Sequence, residues 1–189
     1  VCYNIEMIDV VMGLDVSSSK VGLAIIDLNQ NLLEYKLIKF DSKKSLEDRC
    51  SLLEQVVTSY DATQYISPKS KYNVTKVYIE APFVMFSGGK TTAMTMSKLQ
   101  RFNGMVSYMV RRVFKQNAEL IAANKARGLV GLKIKRGADT KKKIIEWVSN
   151  KYPKKFIIEM TRYGNPRPGT DDIADAIVVA LAGINQKNT

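Results

Sequence analysis

Two apolar, β-branched runs in this chain each stop on a carboxylate: MGLDVSSSKVGLAII at Asp15 and KVYIEAPF at Glu80. Read as strands, they belong inside a sheet, where an unpaired acid is costly to bury. A third acidic station, Asp172 and Asp175 in DDIADAIVVALAG, falls at i and i+3 on one face of an otherwise apolar helix. Taken singly, each has a plain structural explanation. Asp15 and Glu80 can face solvent at strand ends, and acids in a first helical turn complement the helix dipole. Taken together, three stations that a fold can bring to one place point to a shared cation.

The charge balance sharpens that reading. Across 189 residues, 29 Lys and Arg outnumber 18 Asp and Glu, for a net charge of +11. A basic surface around converging acids suits a polyanion, and nucleic acid is favoured over membrane because no basic amphipathic anchor stands out. The chain has no histidine and only Cys2 and Cys50, without a CxxC. Zinc sites, histidine triads and histidine general bases are thereby set aside, and a disulfide framework is not expected. The longest apolar stretch, 173–184, contains Asp175 and is too short to span a bilayer. Residues 1–9 lack the basic start and apolar run of a signal peptide, and residues 1–7 read as a leader to one domain occupying the chain. A reducing, cytoplasmic and DNA-associated location is expected.

The pattern predicts strands over 8–15, 21–27 and 32–40, separated by the polar turns SSSK and NQN, as an antiparallel meander. Asp41 and Ser42 offer N-cap chemistry for a helix over 46–60. A strand over 74–80 stops before Pro82. The loop FSGGKTT leads into a long amphipathic helix over 91–115, with Leu99, Phe102, Val106, Met109 and Val113 three or four residues apart. A short strand at 119–122, a small helix at 124–130 and a basic loop at 133–137 follow. Asp139 is placed to cap a helix over 140–150, RYGNPRPGT reads as a Pro/Gly loop, and a helix over 171–185 closes the chain. Strands first, then alternation of strand and helix, predict an α/β fold: a mixed sheet of about five strands flanked by helices.

Oxygen-only acids in a basic chain suit Mg²⁺, commonly as two ions about 3.5–4 Å apart in phosphodiester chemistry. The motifs, in their order, resemble the RuvC family of Holliday junction resolvases in the RNase H-like superfamily. GLDVSSSKVGLAII is similar to the family's first strand, YIEAPF to its second acidic motif, IKRGADTKKKIIEWV to its basic loop and following helix, and DDIADAIVVAL to its final helix. Together they span about 11–185. The resemblance implies an RNase H-like sheet with three antiparallel strands followed by parallel ones. It implies an endonuclease that nicks four-way DNA junctions symmetrically as a homodimer, leaving 5′-phosphate ends. Asp15, Glu80, Asp172 and Asp175 would be its catalytic and metal residues, with two Mg²⁺ ions, replaceable by Mn²⁺, and no small-molecule cofactor. Phe83 and Phe86 fall where the family sets an aromatic ring against junction bases, and the helix over 91–115 aligns with its subunit-pairing helix. Lys98, Arg101, Lys133, Lys135, Arg136 and Lys141 are candidate DNA contacts.

The chain departs from the family in two places. It has no histidine in the last motif, and Ser17 stands where many relatives carry Gly. Asp171 also leaves the register open, since it faces Asp175 at i, i+4. Three other readings compete: an actin-like ATPase, which needs a second phosphate loop absent here; an inactive nucleic-acid-binding module; and an RNase H-like nuclease acting on other branched DNA or on RNA–DNA hybrid.

Overall fold

The first strand sets the plan of the molecule, because it pairs on both sides. In the computed structural model, which describes residues 7–60, 71–82 and 93–186, β1 (Ile8–Val16) pairs antiparallel with β2 (Lys20–Asp27) and parallel with β4 (Tyr72–Glu80). Outside β2 lies β3 (Leu32–Lys39), antiparallel, and outside β4 lies the short parallel β5 (Glu119–Ile121). The sheet order is β3-β2-β1-β4-β5. The expected meander followed by parallel strands is therefore observed, with strand ends within two residues of those read from pattern.

The turns follow from local chemistry. Between β1 and β2 the Ser17 hydroxyl donates to the Lys20 carbonyl at 2.9 Å and accepts from its amide at 3.2 Å. Between β2 and β3 the Asp27 carboxylate accepts from the Asn31 amide at 2.7 Å and its side chain at 2.8 Å.

Strand alternation divides the core in two. Val10, Met12, Leu14 and Val16 point to one face and pack with α1 (Leu46–Thr58) and α2 (Ala93–Phe114). Val11, Ala24, Ile26 and Tyr78 point to the other, beneath α3 (Ala123–Leu129), α4 (Thr140–Lys151) and α5 (Thr170–Gln186). On α2 the stripe of Phe102, Val106, Met109 and Val113 is buried as its spacing requires, while Leu99 is only partly so. Helix α5 is buried on nearly all sides, between the sheet and the helices α3 and α4.

One cap differs from expectation. Ser45, not Asp41 or Ser42, caps α1, in a reciprocal capping box with Asp48. Asp41 instead closes the preceding turn, accepting from the Lys43 amide at 2.9 Å. Asp139 caps α4 as expected. The stretch read as a Pro/Gly loop contains a paired turn, with Met160 bridged to Pro166. Among the described residues no helix is long and apolar enough to cross a membrane.

Candidate active site

Register alone brings the first two acids together. Leu14 of β1 lies beside Ile79 of β4 in a parallel pair, so the next residues, Asp15 and Glu80, emerge side by side at the same end of the sheet. Both share strand parity with Gly13 and Tyr78, which places them on the α5 face. Across β1 and β2, Asp15 is opposite Gly22. The absent side chain there admits the first turn of α5: a Cβ on Gly22 would stand 2.0 Å from the Asp172 carbonyl oxygen. The helix that carries Asp172 and Asp175 is thereby seated over the strand pair that carries Asp15.

Electrostatics record the convergence. Burial pushes the Asp15 carboxyl well above its ordinary range, and Glu80, Asp175, Asp172 and Asp171 all push it further. Asp175 is raised to about 7, by burial first and then by Glu80 and Asp171. Burial also raises Glu80, against the pull of the Arg127 guanidinium. For Asp172, burial outweighs the hydrogen bond from Lys20, and Asp171 adds to the rise. Asp171 alone among these five acids moves down, because Lys141 and Lys20 together overcome its burial. Like charges gathered this closely are unfavourable without compensation.

Part of that compensation comes from side chains outside the motifs. Lys20 of β2 forms an ion pair with Asp172, which is only 8% exposed, and Lys141 of α4 forms one with Asp171. Arg127 of α3 acts on both Glu80 and Asp175. Lys20 and Arg127 were not anticipated as site residues. For Lys20 the signal existed: it has the parity of Gly22, Ala24 and Ile26, and so belongs to the α5 face. The Asp171 ambiguity also takes a physical form. Asp172 turns toward β2 and Lys20, Asp171 toward α4 and Lys141, and both raise Asp15.

These side chains supply only hard oxygen donors, the type that Mg²⁺ or Mn²⁺ prefers. Asp15, Glu80, Asp175 and Asp172 could hold such an ion, with Asp172 exchanging its lysine. Among the described residues no three acids are already disposed as a ligand set, so side-chain rotation would have to accompany binding.

The basic candidates divide between two layers. Lys133, Lys135 and Arg136 are exposed between α3 and α4, and Lys135 and Arg136 line a cavity of about 300 Å³ with Arg127. Of its lining residues, Arg127 is the one that also acts on Glu80 and Asp175. Lys141 is at the cluster itself. Lys98 and Arg101 instead ride on α2, across the sheet, where Arg101 pairs with Glu47 of α1. The α1–α2 surface there forms a groove of about 630 Å³, lined by Gly104, Met105 and Tyr108 and flanked by the Arg101–Glu47 and Arg112–Glu54 pairs. Phe83 and Phe86 lie outside the described residues.

No family model matches the sequence, and no curated protein matches it. Solved structures do. Thermus thermophilus RuvC in complex with a Holliday junction substrate superposes with a TM-score of 0.64 at 14% identity, covering 95% of this chain and 94% of that one. A second Thermus thermophilus RuvC structure gives 0.62 at 16% identity, covering 95% of each chain. The yeast mitochondrial Holliday junction resolvase Ydc2 gives 0.53 at 10% identity, covering 98% of this chain and 82% of that one. With its strand order and acids at the shared sheet end, this chain has the RuvC-like form of the RNase H-like fold.

Proposed function

We propose that this protein is a metal-dependent DNA endonuclease that resolves four-way junctions by paired symmetric nicks, leaving 5′-phosphate ends. The observation that carries the reading is the acid cluster: five carboxylates from β1, β4 and α5 at one end of a RuvC-like sheet, four of them raised in pKa, in a chain of net charge +11. Asp15, Glu80, Asp172 and Asp175 are its proposed catalytic and metal-holding residues. Bound Mg²⁺ or Mn²⁺ would acidify the attacking water and stabilise the leaving 3′ oxygen. With no histidine in the chain, the protein's own part is to fix the carboxylates and to exclude competing charge. Arg127, Lys135 and Arg136 would draw the phosphate backbone toward that end, and Lys20 would yield Asp172 to the metal. A homodimer through the α1–α2 groove would present two such sites to opposite strands.

The test is cleavage of an end-labelled four-way junction in Mg²⁺, beside linear duplex and RNA–DNA hybrid. Paired nicks confined to the junction are the expected result. Cutting of the hybrid instead would keep the fold and assign the chemistry to a different nuclease class.

Metal binding has its own signature in stability. Asp175, raised from 3.8 to about 7, binds a proton more tightly folded than unfolded. Its contribution therefore favours the fold most below pH 3.8, and that advantage is lost as pH rises through about 7. Asp15 and Glu80 shift in the same direction. In EDTA the melting temperature should fall between pH 5.5 and 8.0. Mg²⁺ should restore it, with a larger gain at pH 8.0, where Asp175 has largely given up its proton. A recovery of ~2 kcal/mol corresponds to roughly 4–8 °C in a chain of this size. An equal or absent Mg²⁺ effect at the two pH values would argue against an ion in this cluster.

A further inference from the structure

Between β3, α4 and the start of α5 the chain doubles back over 159–167 in a way the proposed chemistry does not use. The Arg167 amide donates to the Glu159 carbonyl at 2.8 Å, and the Thr161 amide to the Asn165 carbonyl at 2.7 Å. The Gly164 amide donates to the Thr161 carbonyl at 3.0 Å, with Gly164 in the left-handed region at φ 74°. A Glu159–Arg167 ion pair at 3.2 Å closes the base. This is a short, tied hairpin, and its tip carries Arg162 and Tyr163.

The tip makes little sense as packing. Tyr163 is 73% exposed, and neither residue joins either core cluster. The Arg162 guanidinium lies over the Tyr163 ring, 4.6 Å from its centroid, and donates to its hydroxyl, so the two side chains form one aromatic, cationic surface. The hairpin also walls a groove of about 530 Å³ against α4. Lys141 and Lys142 line one side, Asn165 and Pro166 the other, and Asp171 is among the lining residues. Asp171 adjoins Asp172, so the groove opens beside the acid cluster, and its charged lining mixes Lys141, Lys142 and Arg167 with Asp139 and Glu146.

We propose that the 159–167 hairpin grips the DNA strand next to the cut, with the Arg162–Tyr163 surface stacking on an unpaired base. The groove would carry that strand's phosphates past Lys141 and Lys142. A base offers a free face only where pairing is interrupted, so the contact selects DNA with unpaired or splayed nucleotides. The inference rests on the nuclease reading and names a substrate feature for it.

Binding without cleavage tests it, using the whole chain in EDTA and fluorescence anisotropy with a labelled four-way junction, a linear duplex and a single strand. Tyr163→Ala should weaken binding to the junction and the single strand by roughly five- to a hundredfold, and to the duplex far less. Tyr163→Phe should rescue it. Arg162→Ala should weaken binding and reduce the salt dependence by about one phosphate contact. Thermal melts unchanged from wild type would place these losses at the surface. Wild-type affinity of Tyr163→Ala for all three substrates would overturn the proposal. Wild-type protein that binds but does not cut would refute the cleavage reading and leave the hairpin to be judged on the variants. Wild-type protein that binds none of the three would overturn both.

Discussion

Asp15→Asn is expected to lower junction cleavage by roughly a thousandfold, the scale of the several kcal/mol that a metal ion contributes to phosphoryl chemistry. Binding of the uncut junction should stay close to wild type. The same change should raise the melting temperature in EDTA at pH 8.0. Burial weighs most on Asp15, and every other member of the cluster adds its repulsion. Asparagine keeps the shape and removes the charge, so the folded state loses a liability while the chemistry loses its central ligand. Loss of activity with gain of stability is a combination that a packing defect cannot produce. If the variant melted lower and also failed to bind DNA, Asp15 would be a structural residue and the metal reading would lose its centre. The Mg²⁺-dependent rise in melting temperature should shrink in parallel, which ties the two measurements to one ion.

Much of this site was legible because it is built from strand ends. Apolar runs ending in Asp15 and Glu80 gave the strand termini, and parallel register then set the two acids level. Helix α5 could be placed as a buried helix because its apolar residues go all the way round, and Asp172 and Asp175 stand out against them. The cations were harder. Lys20 and Arg127 are two among 29 Lys and Arg; strand parity marks Lys20 for the α5 face, and nothing local marks Arg127. Arg127 reaches Glu80 and Asp175 only because the seven-residue α3 is set down beside the end of β4, a long-range placement that no short periodicity encodes. The 159–167 hairpin escaped for a related reason. Its pairing is a single bridge between Met160 and Pro166, too brief to show alternation, so Gly and Pro dominated the pattern. Ser45 rather than Asp41 caps α1 because Asp41 is already engaged by the turn before the helix. A cap with several candidate residues is decided by where the chain turns, which composition does not specify.

The largest expected loss of stability comes from adding one carbon where α5 meets the sheet. A Cβ on Gly13 would stand 2.2 Å from the Ala176 carbonyl oxygen and 2.9 Å from the Ala180 amide nitrogen. A Cβ on Gly22 would stand 2.0 Å from the Asp172 carbonyl oxygen and 2.9 Å from the Ile173 amide nitrogen. These are backbone atoms of a helix buried on nearly all sides, so no rotamer change relieves the overlap and the helix itself must lift. Overpacking of this kind costs ~3 kcal/mol, or roughly 6–12 °C in melting temperature, for either Gly13→Ala or Gly22→Ala. The two substitutions should differ in what else they disturb. Gly13 bears on the middle of α5, four residues and more beyond Asp172, whereas Gly22 bears on Asp172 itself. Gly13→Ala should melt lower and lose only part of its Mg²⁺-induced rise, since Ala176 adjoins Asp175 but the seat of Asp172 on β2 is kept. Gly22→Ala should melt lower and lose most of that rise, because displacing the Asp172 backbone moves its carboxylate away from Asp15. A Gly22→Ala protein with wild-type melting temperature and wild-type metal response would mean that α5 is not seated on β2 in this way. The meeting of Asp15, Glu80, Asp172 and Asp175 at one sheet end would then lose its structural basis.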